Sequence, residues 1–264
     1  MTDHPPARTG VPAIEMTGIA VGALRDPASL VAEGINWTVN AGDYWVVAGL
    51  QGSGKSDFLM LTGGLMAPRQ GRYRFFGQDM PIFEDERLNE RLRLGLVFDG
   101  GQLFNHLTVA ENVALPLRYR HNLSQNEAAA AVSELLECTE LAPWADSTPG
   151  ALGRNWQKRA GLARALALKP EVLLVDNPLA GLDPRHAQWW LGFLDQLSKG
   201  HSLTQGRPMT LVVTTADFRP WKGHARQFAF LRNAAFVVLG AWAQLEAASA
   251  ELVRELLTER TQTE

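Results

Sequence analysis

Cysteine is almost absent. Cys138 is the one thiol in 264 residues, which excludes an intramolecular disulfide and any metal site built on cysteine pairs; it reads as a buried, inert thiol. His4, His106, His121, His186, His201 and His224 show no paired spacing, so none is a metal-ligand candidate. No run of about 18 apolar residues occurs, so no segment reads as crossing a bilayer, and any membrane role comes through a partner. Positive charge is not in excess either. With Lys+Arg 25 against Asp+Glu 28 and a formal net charge of −3, a broad nucleic-acid-binding face is not expected. Internal repeats and low-complexity tracts are also missing. Residues 1–13 contain Pro5, Pro6 and Pro12 without an apolar core, and read as a short disordered lead-in, not a signal peptide.

What remains is a globular composition, 46% hydrophobic and 20% charged, sufficient to bury one sizeable core. Residues 49–56 read GLQGSGKS, a complete G-x-x-x-x-G-K-[ST] loop between an apolar strand pattern and an apolar helix pattern. Such a loop is a phosphate cradle. Gly49, Gly52 and Gly54 let backbone N–H groups turn inward, with Leu50, Gln51 and Ser53 completing the turn. Lys55 reaches the terminal phosphates, Ser56 offers its hydroxyl to Mg²⁺, and the following helix start adds its positive dipole end. Asp57 comes next, where a carboxylate caps the helix dipole and also faces the phosphates. The expected ligands are ATP and Mg²⁺.

Pattern and punctuation predict strands over 14–21, 35–39, 44–48, 71–76 and 94–98, with a charged connector over 87–93. Helical periodicity covers 56–65, 108–145 with an N-cap at Ser124, 155–168, and 186–197, where Trp189 and Trp190 read as packing residues. Strands over 172–175 and 210–214, a hairpin pairing 227–231 with 235–239, and an amphipathic helix over 245–260 complete the chain. The strand Val172-Leu173-Leu174-Val175 ends in Asp176, the form of a Walker B strand whose carboxylate holds Mg²⁺ against the loop hydroxyl.

Together the motifs resemble the ATP-binding cassette (ABC) family, in particular the nucleotide-binding subunits of bacterial ABC transporters, over about 14–246. Besides GLQGSGKS, the resemblance rests on LFNHLTVAENV at 103–113, QKRAGLARAL at 157–166 and DNPLAGLDP at 176–184. It implies an α/β P-loop NTPase core with an antiparallel β subdomain, a helical insertion at about 99–165, and a C-terminal helix and tail over 247–264. The departures bear on catalysis. Asn177 stands where the family has its catalytic Glu; an amide orients water but cannot take its proton. Asp99 stands where the family carries its Q-loop Gln, still able to reach a magnesium-bound water, and Gln102 lies nearby. LGRNW at 152–156 replaces the family's signature motif, with Arg154 either an exposed loop residue or a contact to a partner's phosphate. Thr215 is read at the family's switch-His position, and 18–24 supplies no aromatic for adenine.

The resemblance implies an ATP-binding subunit at the inner face of the cytoplasmic membrane, dimerising with itself or a second ABC subunit and coupled to an integral membrane permease. Hydrolysis is expected to be slow or absent. A non-hydrolysing, nucleotide-dependent scaffold and a soluble ABC protein are the alternatives. The 98–113 stretch is similar to lipid-trafficking members.

Overall fold

The computed structural model describes residues 10–26, 29–80 and 87–247. Two sheets organise them. Strands β1 (Ile14–Gly22), β2 (Leu30–Val39), β4 (Gln70–Phe75) and β5 (Gln78–Asp79) form an antiparallel sheet ordered β2-β1-β4-β5. The second sheet is ordered β10-β9-β3-β8-β7-β6, from β3 (Tyr44–Ala48), β6 (Leu94–Val97), β7 (Val172–Val175), β8 (Thr210–Thr215), β9 (Gln227–Arg232) and β10 (Ala235–Gly240). It is parallel except for β10, which pairs antiparallel with β9.

Residues in β3, β7 and β8 are buried throughout, because layers cover both sheet faces and leave no solvent-facing position to alternate. One core joins the two sheets and α1 (Lys55–Thr62), where Trp37 meets Trp45 and Phe58 at ring distances of 5.5 Å. The other joins the parallel sheet to α3 (Val109–His121), α4 (Gln125–Cys138), α5 (Arg154–Leu166) and α6 (Pro184–Lys199). Trp190 is fully buried there, and Trp189 stacks on Phe193 with centroids 4.8 Å apart, as packing residues do.

Several boundaries differ from those read in the sequence. The pattern over 108–145 resolves into α3 and α4, broken at Asn122, whose left-handed φ of 50° ends α3; Asn tolerates that conformation. Ser124 does cap α4, in a reciprocal pair with Glu127. The charged connector contains the one-turn α2 (Leu88–Arg91). Strand β2 starts at Leu30 because its first half pairs with β1 through register shifts, which hide it from a strict alternation test. The final described helix is α7 (Trp242–Ala247); most of the helix expected over 245–260 lies outside the described residues. Cys138 is only half-buried, and burial raises its thiol pKa.

Register sets the site. Ala48 pairs with Thr215, and Val175 pairs with Val97 and Val213, so β3, β7 and β8 end side by side. Ligands of open α/β sheets bind at such carboxyl ends.

Candidate functional site

The chain leaves β3 at Gly49, whose N–H donates to Thr215 O at 3.2 Å. A Cβ at Gly49 would lie 2.5 Å from Ser53 Oγ and 2.6 Å from Leu231 O, so no side chain fits. Gly52 and Gly54 take φ of 80° and 84°, which glycine adopts freely. Helix α1 follows with no side-chain cap on its first amides, leaving donors for an anion. Ser53 Oγ is buried without a hydrogen-bond partner. An unpaired buried hydroxyl costs on the order of 1–3 kcal/mol. Phosphate oxygens would supply acceptors for that hydroxyl and for the amides, so the loop fits the ligand its motif implies.

Lys55 is buried, and its Nζ donates to Gly49 O at 2.6 Å and Leu50 O at 2.8 Å. Burial lowers its pKa, and Asp176 opposes the shift. Asp176 accepts from Ser56 Oγ and Thr214 Oγ1, both at 2.6 Å. Ser56 and Asp176 therefore converge across two elements. Mg²⁺ needs only one or two protein oxygens beside phosphate and water, and this pair fits it. Asp57, by contrast, binds the β1–β2 connection: its Oδ1 accepts from Leu24 N at 2.9 Å.

Asn177 follows at a φ of 47°, with its N–H 3.1 Å from Thr214 Oγ1. Its carbonyl is one of three held by a single amine. Lys158 Nζ donates to Asn177 O at 2.9 Å, Pro178 O at 3.2 Å and Ala180 O at 3.0 Å, and meets Asp99 Oδ1 at 3.0 Å. Burial lowers the Lys158 pKa, while the Asp99 hydrogen bond and charge raise it in part. Arg154 Nη2 reaches both Asp99 oxygens, at 3.1 and 3.0 Å. Asp99, considered above as an aid to Mg²⁺, is thus occupied by two cations from α5. Arg154 is correspondingly the first residue of α5 and not a loop residue.

Sequence reasoning missed Lys158 and Thr214, and it misplaced one position. Thr215 is buried, and its hydroxyl serves a turn with the Asp217 backbone at 3.0 and 3.3 Å. The residue that lines the cleft at the end of β8 is Ala216. Strand alternation explains the correction: Thr214 turns to Asp176, Thr215 turns away, and Ala216 returns to the cleft with only a methyl group. Gln102 takes a left-handed φ of 49° beside Gly101. Gly101 itself lies against α5, where a Cβ would fall 2.2 Å from Gln157 O.

The cleft holding these groups measures about 1010 Å³ and takes in Lys55, Ser56, Asp99, Arg154, Asp176 and Asn177. A cavity of about 670 Å³ lies at the other edge of the strands, near Gly42, Pro170 and Met209, and gathers none of the motif residues.

A family described as ABC transporter matches residues 32–180. The chain belongs to the ABC transporter family. It is 34% identical over 193 residues to the intermembrane phospholipid transport system ATP-binding protein MlaF of Haemophilus influenzae, covering 72% of this chain and 73% of MlaF. It is 33% identical over 208 residues to the methionine import ATP-binding protein MetN of Lacticaseibacillus paracasei, covering 78% of this chain. The match spans only 57% of that MetN. Among solved structures, a dimeric ATP-binding cassette, MJ0796, bound to ADP and Pi is 26% identical with a TM-score of 0.73, covering 84% of this chain and 95% of that one. The cassette's α/β P-loop fold matches these neighbours. Among the described residues no helix is long and apolar enough to cross a membrane.

Proposed function

We propose that this cassette binds ATP with Mg²⁺ as the nucleotide-binding subunit of an ABC transporter, and that it hydrolyses ATP slowly or not at all. The observation that carries the reading is a contrast within one cleft. The phosphate cradle, Lys55, Ser56 and Asp176 are assembled. The positions that would activate water hold Asn177 and Ala216, and Asp99 is paired with Lys158 and Arg154. A positioned general base contributes about 10²–10⁴-fold, and a donor to the transferring group about 10²–10³-fold. These losses overlap, since groups acting on one transition state are not additive.

Mg²⁺, when bound, would supply positive charge to offset the negative charge that develops on the phosphates. Ser56 and Asp176 would hold it, Lys55 would hold the terminal phosphates, and the loop amides would orient them. Asn177 would position a water without accepting its proton. The cassette would sit at the cytoplasmic face of the membrane, paired with itself or another ABC subunit and docked on an integral permease. Relatives named for cargo as different as methionine and phospholipid match this domain, so the permease would set the cargo.

Titration with a fluorescent ATP analogue in Mg²⁺ tests the binding half. Saturable binding that Lys55→Ala weakens at least tenfold is expected, because removing a buried charge partner of the phosphates costs about 2–5 kcal/mol. Equal binding by both proteins would sink the reading. A second reading, a nucleotide-dependent scaffold that assembles the transporter without powering it, is favoured by the Asp99 pairing. It predicts that ATP promotes recovery of the complex while leaving turnover at background.

A further inference from the structure

The motifs account for only the phosphate end of the cleft. Its other rim is formed by Leu30 and Val31 of β2 and by Arg232, Asn233 and Ala234 at the β9–β10 turn, and among the described residues none lining the cleft is aromatic. A nucleobase seated there has no ring to stack on. The rim is nonetheless fixed against the phosphate loop. Val31 presses on the loop so closely that a Cβ at Gly54 would fall 2.3 Å from its Cγ1. Glu33 N donates to Ala234 O at 3.0 Å, Ala32 bridges to Ala234, and Phe236 stacks on Phe58 of α1 with centroids 5.1 Å apart.

The turn itself is strained. Arg232 pairs with Ala235, which leaves a two-residue loop with φ of 49° at Asn233 and 59° at Ala234. Such hairpin loops require positive φ at both positions and favour Gly at the second. Alanine there is held by its neighbours against its own preference. The result is an exposed side-chain amide kept at one point on the cleft rim.

We propose that Asn233 is a specificity-determining residue whose amide reads the edge of the nucleobase, with Leu30 and Val31 giving the apolar face that an aromatic ring would otherwise supply. The inference rests on the nucleotide reading above. An amide offers one acceptor and one donor side by side. Adenine presents a matching N6 donor and N7 acceptor, whereas guanine presents two acceptors, O6 and N7, and leaves the amide oxygen facing an acceptor. The cleft therefore takes adenine nucleotides over guanine ones.

The test is displacement of ribose-labelled ATP by unlabelled ATP and GTP in Mg²⁺, with the full chain and with Asn233→Gly. Glycine relaxes the turn while removing the amide, so the variant keeps its fold. A preference for ATP of about tenfold is expected in the wild type, falling to within about twofold in Asn233→Gly through weaker ATP binding. Equal affinity for both nucleotides in the wild type, or an unchanged preference in the variant, would overturn the inference while leaving the nucleotide reading intact. Failure of the wild type to bind either nucleotide would overturn both.

Discussion

At the scale of single residues, Lys158 links parts of the site that are far apart in sequence. Its side chain is 2% exposed and meets Asp99 and the turn after β7. Lys158→Met removes the charge at similar volume but leaves Asp99 with Arg154 alone and takes the amine donor from the Pro178 and Ala180 carbonyls, while Asn177 O keeps only Ala180 N–H at 3.3 Å. A loss on the order of 3 kcal/mol is expected by urea unfolding, and a loss under about 1 kcal/mol would show the amine to be dispensable. Burial lowers the Lys158 pKa, so the unfolded chain holds more protons between the folded value and the ordinary lysine value. This residue therefore makes stability rise with pH across that window. Ala234→Gly should do the opposite of Lys158→Met and stabilise the protein by about 1 kcal/mol, because glycine takes the positive φ without steric cost; a lower thermal midpoint would refute the strain argument. The phosphate loop was legible in sequence because its chemistry is contiguous. Lys158 and Thr214 were not, since their partners come from other elements, and Ala216 was lost to Thr215 because one residue reverses the face of a strand.

Among the elements, the helical lobe depends on its caps. Thr108 with Glu111 and Ser124 with Glu127 each form reciprocal caps. Hydrogen bonds to the Thr108 backbone and hydroxyl pull the Glu111 pKa down, and bonds to the Ser124 hydroxyl and backbone do the same to Glu127. With folded values depressed, the caps contribute fully above the ordinary glutamate pKa and are lost as pH falls through the folded values. Thr108→Ala should cost about 1 kcal/mol near neutral pH and progressively less in acid. Denaturant unfolding followed by circular dichroism across that range checks the prediction, and a cost that did not shrink with acidity would contradict it. Ser124 was readable as a cap because an apolar helical run follows it. The break at Asn122 was not, because a single left-handed residue leaves the surrounding periodicity intact. The strand ends at Ala48, Val175 and Thr215 were readable one by one, but their alignment is a property of sheet register.

For the whole molecule, a complete phosphate cradle is joined to a cleft that holds Asn177 and Ala216 and whose Asp99 is paired with Lys158 and Arg154. If the cassette pairs as the resemblance implies, the exposed Gly153 and Arg154, within the LGRNW segment that stands for the family's signature motif, would face the partner's nucleotide. In this structure Arg154 is exposed and pairs with Asp99. Co-expression with a cognate permease should recover the cassette with membranes; recovery only as a free species would favour a soluble role. Nucleotide binding is expected to survive without appreciable hydrolysis. Steady-state phosphate release by the purified cassette, alone and with its membrane partner, measures it most directly at saturating Mg²⁺ and ATP, beside Lys55→Ala and Asn177→Glu. Wild-type release near the Lys55→Ala background is expected, with at most a modest gain for Asn177→Glu because Ala216 still lacks a donor. Robust wild-type turnover that Lys55→Ala abolishes would contradict it, and would show that another group in the cleft serves as the base.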